Sequence, residues 1–170
     1  MAADGIWTPI FVAAIFILPA WIANLSFTLV GVVVKRFGLW DAPLDKGLKL
    51  WDGRPLLGTH VTIWGLVDSF IAGTVVGVMQ GRPMAGFLMG IGAYAGNALG
   101  SFLKRRVAMK EGRFFPVLDH IDYLIGAIPL AMLIEPASMM TIALAIALTL
   151  VLHPLACVVG YLLKFKSEPL

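Results

Sequence analysis

Charged side chains are scarce in this sequence. Only 14% of its 170 residues are Asp, Glu, Lys or Arg, against about 25% in a soluble domain. With a mean hydropathy of +0.90, that shortage leaves no room for a soluble domain. Cysteine is nearly absent. Cys157 is the single one, so no internal disulfide can form, and its apolar surroundings make it a small packing residue. His60, His120 and His153 do not form a ligand set. His153, beside Pro154, reads as a buried hydrogen-bonding group. There is no internal repeat and no low-complexity tract. No basic residue precedes the first apolar run, which is also too long for a cleaved signal peptide. The net charge of +3 does not point to nucleic acid, because so apolar a chain has no exposed basic face to grip a duplex.

Long apolar runs fill the space that charge leaves. A helix needs about 20 apolar residues to cross the hydrocarbon core. Five stretches qualify: Ile10–Val34, Val61–Met79, Met84–Leu103, Leu118–Ile134 and Met139–Leu163. The fourth is short and opens on aspartates. The expectation is an all-α integral membrane protein of about five transmembrane helices, forming one domain over residues 1–170. Pro19 and Pro154 should kink their helices. Trp51 and Trp64 suit interfacial anchors. So small a bundle is compatible with a homodimer.

The few charges are placed unevenly. Every Lys and Arg except Arg82 falls on one side of the expected spans. The positive-inside rule makes that side cytoplasmic. The N-terminus is then outside and the C-terminus cytoplasmic in a multi-pass protein of the cell membrane. The cytoplasmic loops, about 37–60 and 105–117, carry nearly all the polar chemistry, so a site should face the cytoplasm. The outer connections, 80–83 and 135–138, are very short.

Polar residues inside the spans sharpen this. Asn97, Ser101 and Lys104 share one helix face, extended by Gly90 and Tyr94 and ending in Lys104-Arg105-Arg106. Asp68 lies about 10 Å below the cytoplasmic end of its span, and a carboxylate at that depth is a functional candidate. Small neighbours (Gly65, Ser69, Ala72, Gly73) allow close helix contact there. Together these residues suggest a hydrophilic pocket entering the bilayer from the cytoplasm. The alternatives are an Asp68 bonded only to a Thr or to backbone, and an Asn97 and Ser101 that only bind a neighbouring helix. Asn24 fits either a structural or a pocket role. Asp119 and Asp122 share a face at the start of the fourth span. The macrodipole explains Asp119 as a cap but not Asp122, one turn deeper. Two carboxylates that can share a hard cation with substrate oxygens suit Mg²⁺. The cations Lys104, Arg105, Arg106 and Lys110 beside them suit a polyphosphate at a membrane surface.

The same residues carry a resemblance. Ser101-Phe-Leu-Lys104-Arg105, then Lys110, then Asp119-His-Ile-Asp122 resembles the signature of the phosphatidate cytidylyltransferases. Glu111 stands where that family has Asp, His120 stands where it has Arg, and a preceding His-Gly-Gly is absent. These departures and the short chain match the archaeal branch, the CDP-archaeol synthases, which are CTP-dependent cytidylyltransferases of ether lipids. A second motif of that branch reads Pro43, Asp45, Gly47, Asp52, Gly53, Arg54 and Gly58 here. The branch then has an Asp and a Lys, replaced here by Thr59 and Val61, while Thr62 keeps its hydroxyl. Lys46 or Lys49 are the candidates to take over the role of the missing Lys.

The resemblance implies transfer of CMP from CTP to an isoprenoid glycerol phosphate, giving a CDP-lipid and pyrophosphate. It implies that Asp119 and Asp122 hold Mg²⁺. Lys104, Arg105 and Lys110 would bind phosphates, with Asn97 and Ser101 orienting substrate groups. Asp45, Asp52 and Arg54 would shape the first loop over the nucleotide, and Asp68 would position a basic residue or a second metal. The competing reading is a small membrane transporter with a cytoplasm-facing polar cavity. The polar residues stop at the cytoplasmic half, apart from Asn24 and His153, which argues against a path through the bilayer.

Overall fold

A computed structural model describes residues 4–111, 113, 115 and 117–163. Five α-helices account for most of them: α1 (Asp4–Phe37), α2 (Ile63–Met79), α3 (Pro83–Arg106), α4 (Leu118–Met132) and α5 (Met139–Leu162). Among the described residues there is no strand, only two isolated bridges, Pro43 with Thr62 and Lys49 with Pro55, inside the long first loop. Lys164 and Lys166, counted above as cytoplasmic charges, lie outside the described residues.

Local chemistry explains where the helices begin and end. The second begins at Ile63 rather than Val61 because Thr62 caps it, its Oγ1 accepting from the Gly65 amide at 3.1 Å. Ser138 caps α5 in the same way through the Thr141 amide. Pro83 sits in the first turn of α3, where its missing N–H costs nothing. That helix runs past Leu103 through Lys104, Arg105 and Arg106, cations that complement its C-terminal dipole. α1 and α5 are long and apolar enough to cross a membrane, whereas α2, at 17 residues, and α4, at 15, are shorter.

Backbone-close packing joins α2, α3 and α4. A Cβ on Gly73 would collide with the backbone of Gly86 and Gly90, and one on Gly92 with that of Gly126. Small residues that let backbones touch are the usual glue between helices in lipid. α1 and α5 close the bundle over Phe16, Ile17, Met89, Tyr123, Leu124 and Ile128. Their outer faces leave Phe11, Leu25, Val151, Leu155 and Leu162 exposed, as lipid contact requires.

Pro19 lies inside α1 and cannot bond the Ile15 carbonyl. Arg82 and Gln80, from the α2–α3 turn, reach that carbonyl at 2.6 and 3.0 Å, and Arg82 also reaches the Phe16 carbonyl at 2.8 Å. Glu135 pairs with Arg82 at 2.5 Å. This latch holds the bundle together at the end away from the basic loops. At the other end the first loop folds over the end of α3. Arg106 bonds the Asp52 carboxylate at 2.7 Å and the Pro55 carbonyl, and Arg54 returns a bond to the Arg106 carbonyl at 2.6 Å.

Candidate active site

A cavity of about 800 Å³ opens at the basic end, between the first loop and α1, α3, α4 and α5. The α3 stripe forms one wall: Tyr94, Asn97, Ser101 and Lys104 all line it, one or two turns apart. Thr62 and Arg105 line it as well, with Asp119 and Asp122 on the α4 side. Tyr94 donates to the Thr62 carbonyl at 2.5 Å and so ties the start of α2 to this wall.

The acidic pair is held in two different ways. Asp119 Oδ1 meets Lys104 Nζ at 2.9 Å, and its Oδ2 accepts from the Phe115 amide at 3.0 Å. Val117, at φ 65°, makes the turn that brings this carboxylate back over the chain entering α4. Asp122 is only 5% exposed. Its Oδ1 accepts from the Tyr123 amide at 2.7 Å. Its other oxygen lies over Gly100, where a Cβ would stand 2.5 Å away. Among the described residues no cation forms an ion pair with Asp122.

Arg105 is 7% exposed. Its Nη2 donates to the Lys110 carbonyl at 3.2 Å and its Nη1 lies 3.9 Å from Glu111 Oε1, while its buried Nε has no hydrogen-bond partner among the described residues. Glu111 clasps the two loops together. Its Oε2 accepts from the Thr59 hydroxyl at 2.6 Å and its Oε1 from the Thr59 amide at 3.3 Å. The Thr59 hydroxyl holds the Glu111 carboxyl below its usual range, burial opposes this, and His60 and Arg105 add to the lowering.

Other expected site residues stand outside the cavity. Asp45 turns back on its own loop, accepting from the Gly47 and Leu57 amides at 2.9 and 2.8 Å. Lys46 and Lys49 are exposed on that loop and do not line the cavity, whereas Val61 does. Asp52 and Arg54 are occupied with Arg106. Lys110 is exposed and offers its carbonyl, not its amine, to Arg105. Asp68 is half-buried on α2 without lining the cavity, and its Oδ2 has no hydrogen-bond partner among the described residues. The helical count places it at the right depth but on a face turned away.

Some cavity residues escaped the sequence reading. Asp41 lines the cavity and caps α2, accepting from the Ala42 amide at 2.9 Å and the Trp64 amide at 3.3 Å. Asn24, for which a pocket role is one of the two expected readings, meets His120 and His153 in one hydrogen-bonded chain. Asn97 donates to Asn24 at 3.0 Å, Asn24 lies 3.2 Å from His153, and His153 lies 2.9 Å from His120. Polar residues alone in apolar spans were the available signal. Beside this chain an apolar groove of about 220 Å³ runs between α1 and α5, lined by Leu18, Trp21, Leu25, Leu152 and Gly160. Asn24, His153 and Cys157 line both the cavity and the groove.

Comparison with known proteins decides the family. The CarS-like family model, described as CDP-archaeol synthase, matches residues 6–84 and 83–170. The chain belongs to this family. It is 45% identical to the CDP-archaeol synthase of Methanopyrus kandleri, over 98% of this chain and 96% of the relative. The CDP-archaeol synthase of Aeropyrum pernix is 35% identical, over 99% and 97%. A solved structure of an intramembrane enzyme for archaeal membrane lipids biosynthesis has a TM-score of 0.70 and 33% identity, covering 85% of this chain and 91% of that one. An all-helical membrane protein with the chemistry of this family is therefore established for the chain.

Proposed function

We propose that the cavity transfers CMP from CTP to an isoprenoid glycerol phosphate, making a CDP-archaeol-type lipid and pyrophosphate. One observation carries the assignment to this cavity. The buried Arg105 guanidinium and Lys104 line the same cavity as Asp119 and Asp122, and among the described residues Arg105 Nε has no hydrogen-bond partner and Asp122 no ion-pair partner. Such a set suits a polyphosphate brought in with a divalent cation.

The donor chemistry fits Mg²⁺. Among the described residues no three His, Cys, Asp or Glu side chains cluster, and Mg²⁺ takes one or two carboxylates with substrate phosphates and water. Asp119 and Asp122 would hold it, and when bound it would offset negative charge on the triphosphate. Lys104 would leave Asp119 for phosphate oxygens, and Arg105 would bind the departing pyrophosphate. The lipid phosphate attacks the α-phosphorus of CTP as the bond to pyrophosphate breaks. Positioning and charge neutralisation lower the barrier. Ser101 would orient a substrate oxygen from the α3 wall. All five helices span the membrane in this reading, with the N-terminus outside and the cavity open to the cytoplasm, as the basic residues at that end favour.

The test is transfer of labelled CTP into lipid by purified protein with Mg²⁺ and geranylgeranyl glycerol phosphate, run beside Asp122→Asn. Label in lipid that is lost with EDTA and in the variant supports the reading. No transfer by folded wild-type protein overturns it.

A further inference from the structure

We propose that Lys35, on α1, binds the terminal phosphates of the incoming nucleotide from a second wall of the cavity, apart from Lys104 and Arg105. The inference rests on the cytidylyltransferase reading and adds a binding residue to it.

One face of α1 is turned to the cavity. Asn24, Phe27, Gly31 and Lys35, three or four residues apart, all line it. The bond from Asn97 to Asn24, at 3.0 Å, joins this face to the α3 wall that carries Ser101 and Lys104. The two walls end alike. Lys35 stands two residues before the end of α1, and Lys104 two residues before the end of α3. Both helices run toward the basic loops, so the two lysines border the loop end of the cavity from different helices.

Charge separates Lys35 from the other cations. Lys104 meets Asp119 at 2.9 Å, and Arg105 lies 3.9 Å from Glu111. Lys35 has no ion pair among the described residues. Among the described residues that line the cavity from α1 and the first loop, it is the only Lys or Arg. The one acid on this wall, Asp41, is turned to backbone, its Oδ1 accepting from the Ala42 and Trp64 amides. Arg113 also lines the cavity without an ion pair, but it comes from the second loop, between the helices that carry Lys104 and Asp119. The negative end of the α1 dipole favours a cation in its last turn. It does not explain why that cation lines the cavity, because Arg36, the next residue, meets the same dipole without doing so.

Location selects the nucleotide over the lipid. A triphosphate carries more negative charge than one divalent cation cancels, and a lysine offers a mobile point charge to a phosphate. The bond that breaks releases pyrophosphate to water, so the terminal phosphates belong at the open, loop end, where Lys35 stands. The acceptor phosphate is tied to hydrocarbon chains and arrives from the bilayer side.

Lys35 is exposed, so amine acetylation of full-length wild-type protein, read by mass spectrometry, tests the site without a variant. Mg²⁺ with CTP, or with inorganic pyrophosphate, should suppress labelling of Lys35. Lys46 and Lys49, exposed outside the cavity, should label as before. Mg²⁺ with CMP, and geranylgeranyl glycerol phosphate alone, should leave Lys35 labelled. No protection by CTP, equal protection by CMP, or protection by the lipid instead would overturn the proposal. Lys35→Met, with an unchanged thermal midpoint, should weaken CTP binding about tenfold, the scale of one hydrogen bond to a charged group. Its CMP binding and its KM for geranylgeranyl glycerol phosphate should not move. Equal losses for CTP and CMP, or a shift in the lipid KM instead, would overturn the proposal. Protection by CTP without CMP transfer would overturn the parent reading and leave Lys35 in a polyphosphate site. Transfer without protection would overturn the role of Lys35 alone.

Discussion

Lys104 Nζ and Asp119 Oδ1, 2.9 Å apart, bridge the last turn of α3 and the first turn of α4. Each neutralises the other in this structure, and in the proposed reaction the substrate would offer both a better partner. Lys104→Ala should lower kcat/KM for CTP about 10²-fold, the scale of losing one group that stabilises developing charge. Retention of helicity and thermal midpoint would show that the loss is chemical, and full activity would remove Lys104 from phosphate binding.

Asp122 depends on the absence of a side chain at Gly100. Gly100→Ala puts a methyl group 2.5 Å from the present position of Asp122 Oδ2, so the carboxylate must move. Mn²⁺ binding in the presence of CTP, followed by paramagnetic resonance, should weaken in Gly100→Ala and vanish in Asp122→Asn. Unchanged binding in Asp122→Asn would place the metal elsewhere.

Arg82 bears on stability rather than chemistry. It satisfies the Ile15 carbonyl that Pro19 strands and pairs with Glu135. Arg82→Met should destabilise the bundle by about 1–3 kcal/mol, the cost of leaving a buried polar group unpaired. The thermal midpoint in detergent should fall, while kcat at low temperature stays near the wild-type value.

The Glu111–Thr59 clasp should respond to acid. The folded Glu111 carboxyl lies below its usual value because the Thr59 hydroxyl favours the charged form. Its contribution is therefore complete above the unfolded carboxyl's pKa and is lost as pH falls through the depressed folded value. Hydrogen exchange at the Thr59 amide, corrected for its intrinsic pH dependence, should show protection lost over that acid window. Glu111→Ala should remove both the protection and its pH dependence.

The helices were legible because long apolar runs leave few other solutions in lipid. Helical spacing puts Asp119 with Asp122 on one face, and Lys104 with Asn97 and Ser101 on another, while the meeting of Lys104 with Asp119 follows from the packing of α3 on α4. Asp68 was misplaced because depth follows from residue count, whereas the facing of a helix follows from packing, here the Gly73–Gly86 contact. Asp52 and Arg54 carry charges that spacing cannot distinguish from ligands, and only the fold shows Arg106 occupying them. The Asn24–His153–His120 chain joins residues more than a hundred positions apart, and no local pattern reports such a meeting.

The fourth helix, at 15 residues, has a consequence for the surrounding bilayer. Its length is about 22 Å, short of a hydrocarbon core of about 30 Å. With the orientation proposed above, Asp119 and Asp122 stand beneath the headgroup plane, and the acceptor phosphate must sink several ångströms to reach them. Local thinning of the bilayer around α4 would shorten that descent. Turnover then becomes a function of membrane thickness: thin bilayers deliver the phosphate to the carboxylates, and thick ones leave it stranded above them.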